Sequence, residues 1–158
     1  MNLVKYSELS KNSADKFNFV NPQADVVILA NDLLNVVRLN GGLAISAPQV
    51  GENLRVIVID ADEPMVLINP QIIECSSKEV DLEETCMTFP HITVKVSRPI
   101  SIRVRYNQLS GVAKTFTYEG MTARLIQHQL DYLNGYTMLD RISKLKRDMI
   151  IKKMNKRI

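Results

Sequence analysis

The sequence predicts an α+β fold, because short β-rich runs fill its middle while helical patterns flank them instead of alternating with them. Apolar spacing changes from a period of about 3.6 to one of about 2 after residue 50, and back again near residue 120. The chain has 158 residues, 46% of them apolar and 23% charged, which is enough for one core without covalent staples. No repeat, low-complexity tract or Pro/Gly/Ser linker divides it, so residues 1–158 are expected to form a single domain.

The elements follow in order. Asn21-Pro22 reads as an N-cap with proline at the first helical position. Behind it Val26, Leu29, Ala30, Leu33 and Val37 recur at helical spacing, predicting an amphipathic helix over 22–38 that Gly41-Gly42 end. Strands are predicted at 54–59 and 66–68, the second ended by Pro70. Alternation at 92–96 and 100–106 predicts two more, and a turn at Ser110-Gly111 returns the chain through 115–118. Gly120 opens a helix of about fourteen residues with Ala123, Ile126, Leu130 and Leu133 on one face, and Asn134-Gly135 close it. A last basic helix is expected over roughly 141–156, with Ile142, Leu145 and Met149 as its inner stripe.

The net charge of +3 conceals an asymmetry. Residues 141–158 hold eight Lys/Arg and one Asp, while the rest carries twelve Lys/Arg and sixteen Asp/Glu. An acidic body with a basic tail points to an anionic partner for the tail. The first residues are polar with mixed charge, and nowhere do eighteen apolar residues run together, so the expectation is a reducing, cytoplasmic setting with no membrane partner. Cys75 and Cys86, eleven positions apart, make neither a disulfide framework nor a C-x-x-C zinc pattern.

Three segments carry more information: Gly42-Leu43-Ala44-Ile45-Ser46-Ala47-Pro48-Gln49-Val50-Gly51, Glu84-Thr85-Cys86-Met87-Thr88-Phe89-Pro90, and Gln127-His128-Gln129-Leu130-Asp131-Tyr132-Leu133-Asn134-Gly135. In order and separation they resemble the G-x-G-L-A-A-P-Q-V-G, E-G-C-L-S and Q-H-E-x-D-H-L-x-G motifs of peptide deformylases. The connecting text is similar too, in Leu67-Ile68-Asn69-Pro70, Val96-Ser97-Arg98-Pro99 and Asp140-Arg141. The resemblance therefore spans nearly the whole chain. It implies antiparallel sheets around a central motif helix, with helices near both ends.

The resemblance also implies a chemistry. Two histidines at i and i+4 on a helix face one way and, with a thiolate from elsewhere, hold a divalent metal with one position open for water. The metal acidifies that water and the adjacent glutamate shuttles its proton, which in the family removes the N-formyl group from nascent N-formylmethionyl peptides. Cys86 and His128 match two ligand positions; Gln49 and the Met87 N–H match the oxyanion donors; Gly42, Ala44 and Ile45 match the substrate-binding loop. The second histidine position is Tyr132 and the glutamate position is Gln129. A carboxamide accepts no proton at useful pH. A phenol, with an ordinary pKa near 10, is a poor divalent ligand. Ala44 and Thr85 also replace motif glycines.

The sequence therefore implies a deformylase homologue with hydrolysis lost or strongly impaired, retaining peptide or ribosome binding, and with no metal or a weakly held Fe2+, Zn2+ or Ni2+. The alternative is a working metallohydrolase with an unusual ligand set. The basic tail resembles the C-terminal helix through which some bacterial deformylases contact the ribosome. Without metal, an imidazole beside Cys86 would lower the thiol's pKa. His91, after Pro90, reads as a loop histidine instead of a replacement ligand. Glu84, Arg98 and Asp140-Arg141 read as structural ion-pairing or capping residues.

Overall fold

A computed structural model describes residues 1–156. The first helix, α1 (Val26–Leu39), is followed by β1 (Ala44–Ser46), β2 (Val56–Ile59), β3 (Met65–Cys75), β4 (Glu79–Cys86), β5 (Phe89–Pro99), β6 (Ser101–Asn107) and β7 (Ala113–Glu119). Two more helices follow, α2 (Gly120–Leu133) and α3 (Lys144–Asn155). The strands make a five-stranded antiparallel sheet in the order β1-β2-β3-β6-β7 and a separate β4-β5 hairpin. This is the α+β arrangement that the residue pattern predicts.

Strand β2 explains how the layers meet. Its residues Val56-Ile57-Val58-Ile59 are all buried, because the sheet is covered on both faces. Val56 and Val58 pack with Leu29, Leu33 and Val37 of α1. Ile57 and Ile59 pack with Ala123, Ile126, Leu130 and Leu133 of α2. A third cluster joins Phe89, Ile92, Val94 and Val96 of β5 to Tyr132, Met138 and Leu139. Helix α2 is thus the shared wall between the large sheet and the hairpin. It is central because its residues are apolar or paired nearly all the way round.

Four local expectations need correction. Helix α1 starts at Val26, not at 22. The Asn18 side chain accepts from the N–H groups of Val20 and Asn21 at 2.9 and 3.0 Å and makes a turn there. The N-cap is Asp25, which accepts from Val27 and Ile28 N–H at 3.0 and 3.1 Å. Pro70 does not end β3: the ladder to β6 shifts register between Ile68 and Gln71, so no N–H is missed at the proline. Strand β4 carries four acidic residues and no continuous apolar face, so periodicity does not reveal it; it is held by its ladder to β5. On α3 the expected stripe is misplaced, since Leu145 and Met149 are 72% and 64% exposed. Ile150, Ile151 and Met154 pack inward instead, beside Ile142.

Both cysteines are free thiols. Among the described residues no helix is long and apolar enough to cross a membrane.

The capping assignment predicts different outcomes for neighbouring substitutions. Asp25→Ala should destabilise the fold by about 1 kcal/mol, through loss of both backbone hydrogen bonds. Asn21→Ala should leave the urea midpoint nearly unchanged. Equal shifts would show that α1 is capped elsewhere.

Candidate functional site

The three motifs converge where α2 passes between the sheets. Strand β1 runs into a 3-10 turn at Ala47–Val50, which Gly51 ends at φ 84°. That turn buries Gln49 completely. Gln49 Oε1 accepts from the Ser46 N–H at 3.0 Å, and its Nε2 donates to Thr88 Oγ1 at 3.0 Å and to Cys86 Sγ at 3.4 Å. The side chain is held at both ends, so the first motif is locked onto the second. The Met87 side chain lies over Gly42: a Cβ there would come 2.5 Å from Met87 Sδ, and that flexible side chain would have to shift.

A buried carboxylate organises the second and third motifs. Glu84 accepts from Arg98 at 2.6 and 2.9 Å and from Arg124 at 2.6 Å, and lies 3.0 Å from His128 Nδ1. Arg98 reaches Asp131 at 3.0 Å, and Arg141 binds Asp131 at 2.6 and 3.2 Å. Burial pushes the Glu84 carboxyl up, but hydrogen bonds and charge from His128 and Arg98 outweigh it and bring its pKa from 4.5 to about 2. The partner orienting His128 is therefore Glu84, while Asp131 belongs to the two arginines. Glu84 and Arg98 form a buried ion pair, the pairing that the sequence reading expected of them. Arg124 was not singled out: it reads as one more basic residue until α2 stacks it four positions before His128.

The chemical end of the site holds Cys86, His128, Tyr132 and Gln129. Tyr132 Oη lies 2.9 Å from Cys86 Sγ. Burial lowers the affinity of His128 for a proton, yet its hydrogen bonds to Cys86 and Glu84 lift the pKa to about 9. Burial raises the Cys86 thiol pKa, and the His128 hydrogen bond and charge reverse this, so the net shift is downward. Burial, then the neighbouring Cys86 charge, push the Tyr132 phenol well above 10. Gln129 is 3% exposed, and its Oε1 is the buried side-chain oxygen without a hydrogen-bond partner among the described residues.

These donors do not fit a three-ligand metal centre. Zinc, for example, holds thiolate sulfur at about 2.3 Å and imidazole nitrogen at about 2.0–2.1 Å, from ligands that have given up their protons. Here the third side chain is a phenol, a group that ordinarily keeps its proton at neutral pH, and its Oη lies 2.9 Å from Cys86 Sγ. The Tyr132 ring packs in the third core cluster, its centroid 5.7 Å from that of His128. Among the described residues no three His, Cys, Asp or Glu are grouped to hold an ion.

A cavity of about 490 Å³ opens onto this cluster, lined in part by Gly42, Ala44, Cys86, Met87, His128 and Gln129. Ile45, expected beside them, has its side chain wholly buried in the first core cluster, because successive residues of β1 face opposite sides. Anything it offers a ligand is backbone. His91, read as a bland loop residue, also lines this cavity, from within β5.

The depressed Glu84 pKa has a sign. Its contribution to stability is complete above about pH 4.5 and is lost as the pH falls towards 2, an effect on the order of 3 kcal/mol. Glu84→Gln should flatten that acid limb and, by leaving Arg98 and Arg124 without their carboxylate, destabilise the protein at neutral pH by about 3–5 kcal/mol. Urea midpoints between pH 3 and pH 7 measure both. An unchanged acid limb would mean that other carboxylates control it.

Comparison with known proteins bears out the family resemblance of the motifs. A model of the polypeptide deformylase family matches residues 2–148. The peptide deformylase of Mesorhizobium japonicum is 42% identical over 134 residues, 81% of this chain and 76% of that one. That of Dictyoglomus thermophilum is 43% identical over 114 residues, 72% of this chain and 74% of that one. Among solved structures, the Ehrlichia chaffeensis peptide deformylase in complex with actinonin superposes with a TM-score of 0.89 at 29% identity, over 99% of this chain and 96% of that one. With the motifs in register along a matching fold, the chain belongs to the polypeptide deformylase family.

Proposed function

We propose that this chain receives the N-terminus of an N-formylmethionyl peptide in the 490 Å³ cavity and hydrolyses it very slowly or not at all. The observation that carries this reading is the 2.9 Å contact between Tyr132 Oη and Cys86 Sγ. The family is metal-dependent, typically with Fe2+. At the position of its second histidine this chain has a proton-bearing phenol that occupies the thiol. Gln129, at the position of the general acid/base, has no basic oxygen. What the chain keeps suits binding: the cavity, Gly42 and Ala44 along its wall, and the Met87 N–H and Gln49 carboxamide beside Cys86.

A second reading, a metal-dependent formyl-peptide hydrolase using Cys86, His128 and Tyr132 or water, is favoured by the high identity to peptide deformylases. Metal content and turnover separate the two. Wild-type protein exposed to iron, nickel or zinc should retain well below one equivalent, and should hydrolyse formyl-Met-Ala-Ser at least about 10²-fold more slowly than the Gln129→Glu/Tyr132→His double variant. One tightly held equivalent with ready turnover in the wild type would establish the hydrolase instead.

The setting fits the cytoplasm, where formylated chains emerge, and the partner of α3 is the ribosome. Lys144, Lys146, Lys152, Lys153 and Lys156 are exposed, and none forms an ion pair among the described residues. Beside RNA phosphate such a helix gives a salt-sensitive attraction without sequence preference. Truncating the helix would strip Ile150, Ile151 and Met154 from the core, so charge reversal is the cleaner test. Lys146→Glu with Lys153→Glu should reduce co-sedimentation with ribosomes at low salt. Unchanged pelleting would remove α3 as the contact.

A further inference from the structure

Among the described residues two non-glycine positions adopt positive φ, Asn69 at 53° and His91 at 65°. This backbone region is unfavourable for residues with a Cβ, so each occurrence asks for a compensating interaction. Asn69 has one: its side chain accepts from the Phe17 N–H at 2.7 Å and donates to the Phe17 carbonyl at 2.9 Å, pinning the N-terminal segment to β3. The His91 ring has no hydrogen-bond partner among the described residues and is exposed. Nothing in the fold accounts for a histidine there.

The ladder shows what its conformation achieves. Thr85 pairs with Thr93 and Cys86 with Phe89, so Pro90, His91 and Ile92 of β5 face no residue of β4. A bulge of this kind re-aims side chains, and here it places His91 against the cavity that holds Cys86. That cavity has a buried end at His128 and Gln129, and an exposed end where Leu43, Met121 and His91 stand. A peptide whose first residue reaches Cys86 must leave past the exposed end. Its main-chain groups lose water there, and each needs a partner.

We propose that His91 is a specificity-determining residue that hydrogen-bonds through its imidazole to the main chain of the second or third residue of the bound peptide. The inference rests on the peptide-binding reading above and adds length discrimination to it. Leu43 and Met121 supply apolar contact for the side chains of the same segment, and His91 supplies the polar partner that they cannot.

The test compares N-formylmethioninamide with N-formyl-Met-Ala-Ser by titration calorimetry on wild-type protein, His91→Gly and His91→Asn. Glycine tolerates the positive φ, so His91→Gly should melt at the same temperature or higher while binding the tripeptide about 5–10-fold more weakly, the scale of one hydrogen bond. Its affinity for the amide should stay within about 2-fold, since that ligand ends before His91. Asparagine, which also adopts this conformation, should restore most of the tripeptide affinity. Equal effects on both ligands, no effect on either, or a clear drop in melting temperature would overturn the role of His91 while leaving peptide binding intact. A wild-type protein that binds neither ligand would overturn the peptide-binding reading and this inference with it.

Discussion

The second and third motifs of the site are held together by the Glu84 carboxylate. It is buried, and three cationic or proton-donating side chains from two other elements converge on it: Arg98 from β5, Arg124 and His128 from α2. Arg98 passes the connection to Asp131, and Asp131 to Arg141 beyond the helix. Strand β4 brings little apolar surface of its own, so this ion network, with the β5 ladder, sets the hairpin against α2. Buried charge is unfavourable unless it is paired, so removing one member of this network would leave its partners uncompensated. Cys86 stands two residues after Glu84 on the same face of β4, so the carboxylate that fixes the hairpin also fixes the thiol.

The second consequence is electrostatic. With Glu84 on Nδ1, His128 is held in one orientation, its other side towards Cys86, and it favours the protonated form. Tyr132, one helical turn further on, completes a hydrogen-bonded group with the thiol. The Cys86 sulfur thus lies between polar groups of three side chains, with the His128 imidazole, the Tyr132 hydroxyl at 2.9 Å and the Gln49 carboxamide at 3.4 Å around it. Gln129 fits the same pattern, keeping the size of a glutamate while removing its charge and its basicity. Both of these departures from the family motif, Gln129 and Tyr132, fall on the stretch of α2 that carries His128, within a fold that superposes on peptide deformylases.

Much of this was legible in one dimension. The periodic segments needed no tertiary information: the α1 stripe, the apolar run of β2, the alternation of β5 and β6, and the α2 face with its Asn134-Gly135 cap. Where the reading slipped, a local preference lost to a neighbour. Asn21-Pro22 is a good start signal, but Asn18 makes a turn across it and Asp25 takes the cap. Proline ends most strands, yet the register shift in β3 asks no ladder hydrogen bond of the N–H that Pro70 lacks. On α3, Leu145 and Met149 have helical spacing, but the body meets the face bearing Ile150, Ile151 and Met154.

By itself the sequence determined the fold class, the family and the two substitutions that set this chain apart, Gln129 and Tyr132, because these follow from residue type and order along the chain. Tertiary structure alone decided which groups those residues meet: that Tyr132 turns its hydroxyl to Cys86, that Glu84 and not Asp131 orients His128, that Ile45 is core, and that His91 faces the cavity from a bulge. The partners in these contacts come from different elements, and the Cys86–Tyr132 and Glu84–His128 pairs are more than forty residues apart. Local propensity carries no information about which distant side chain will fill a given direction in space. That is set when the strands take their register and α2 is clamped between them.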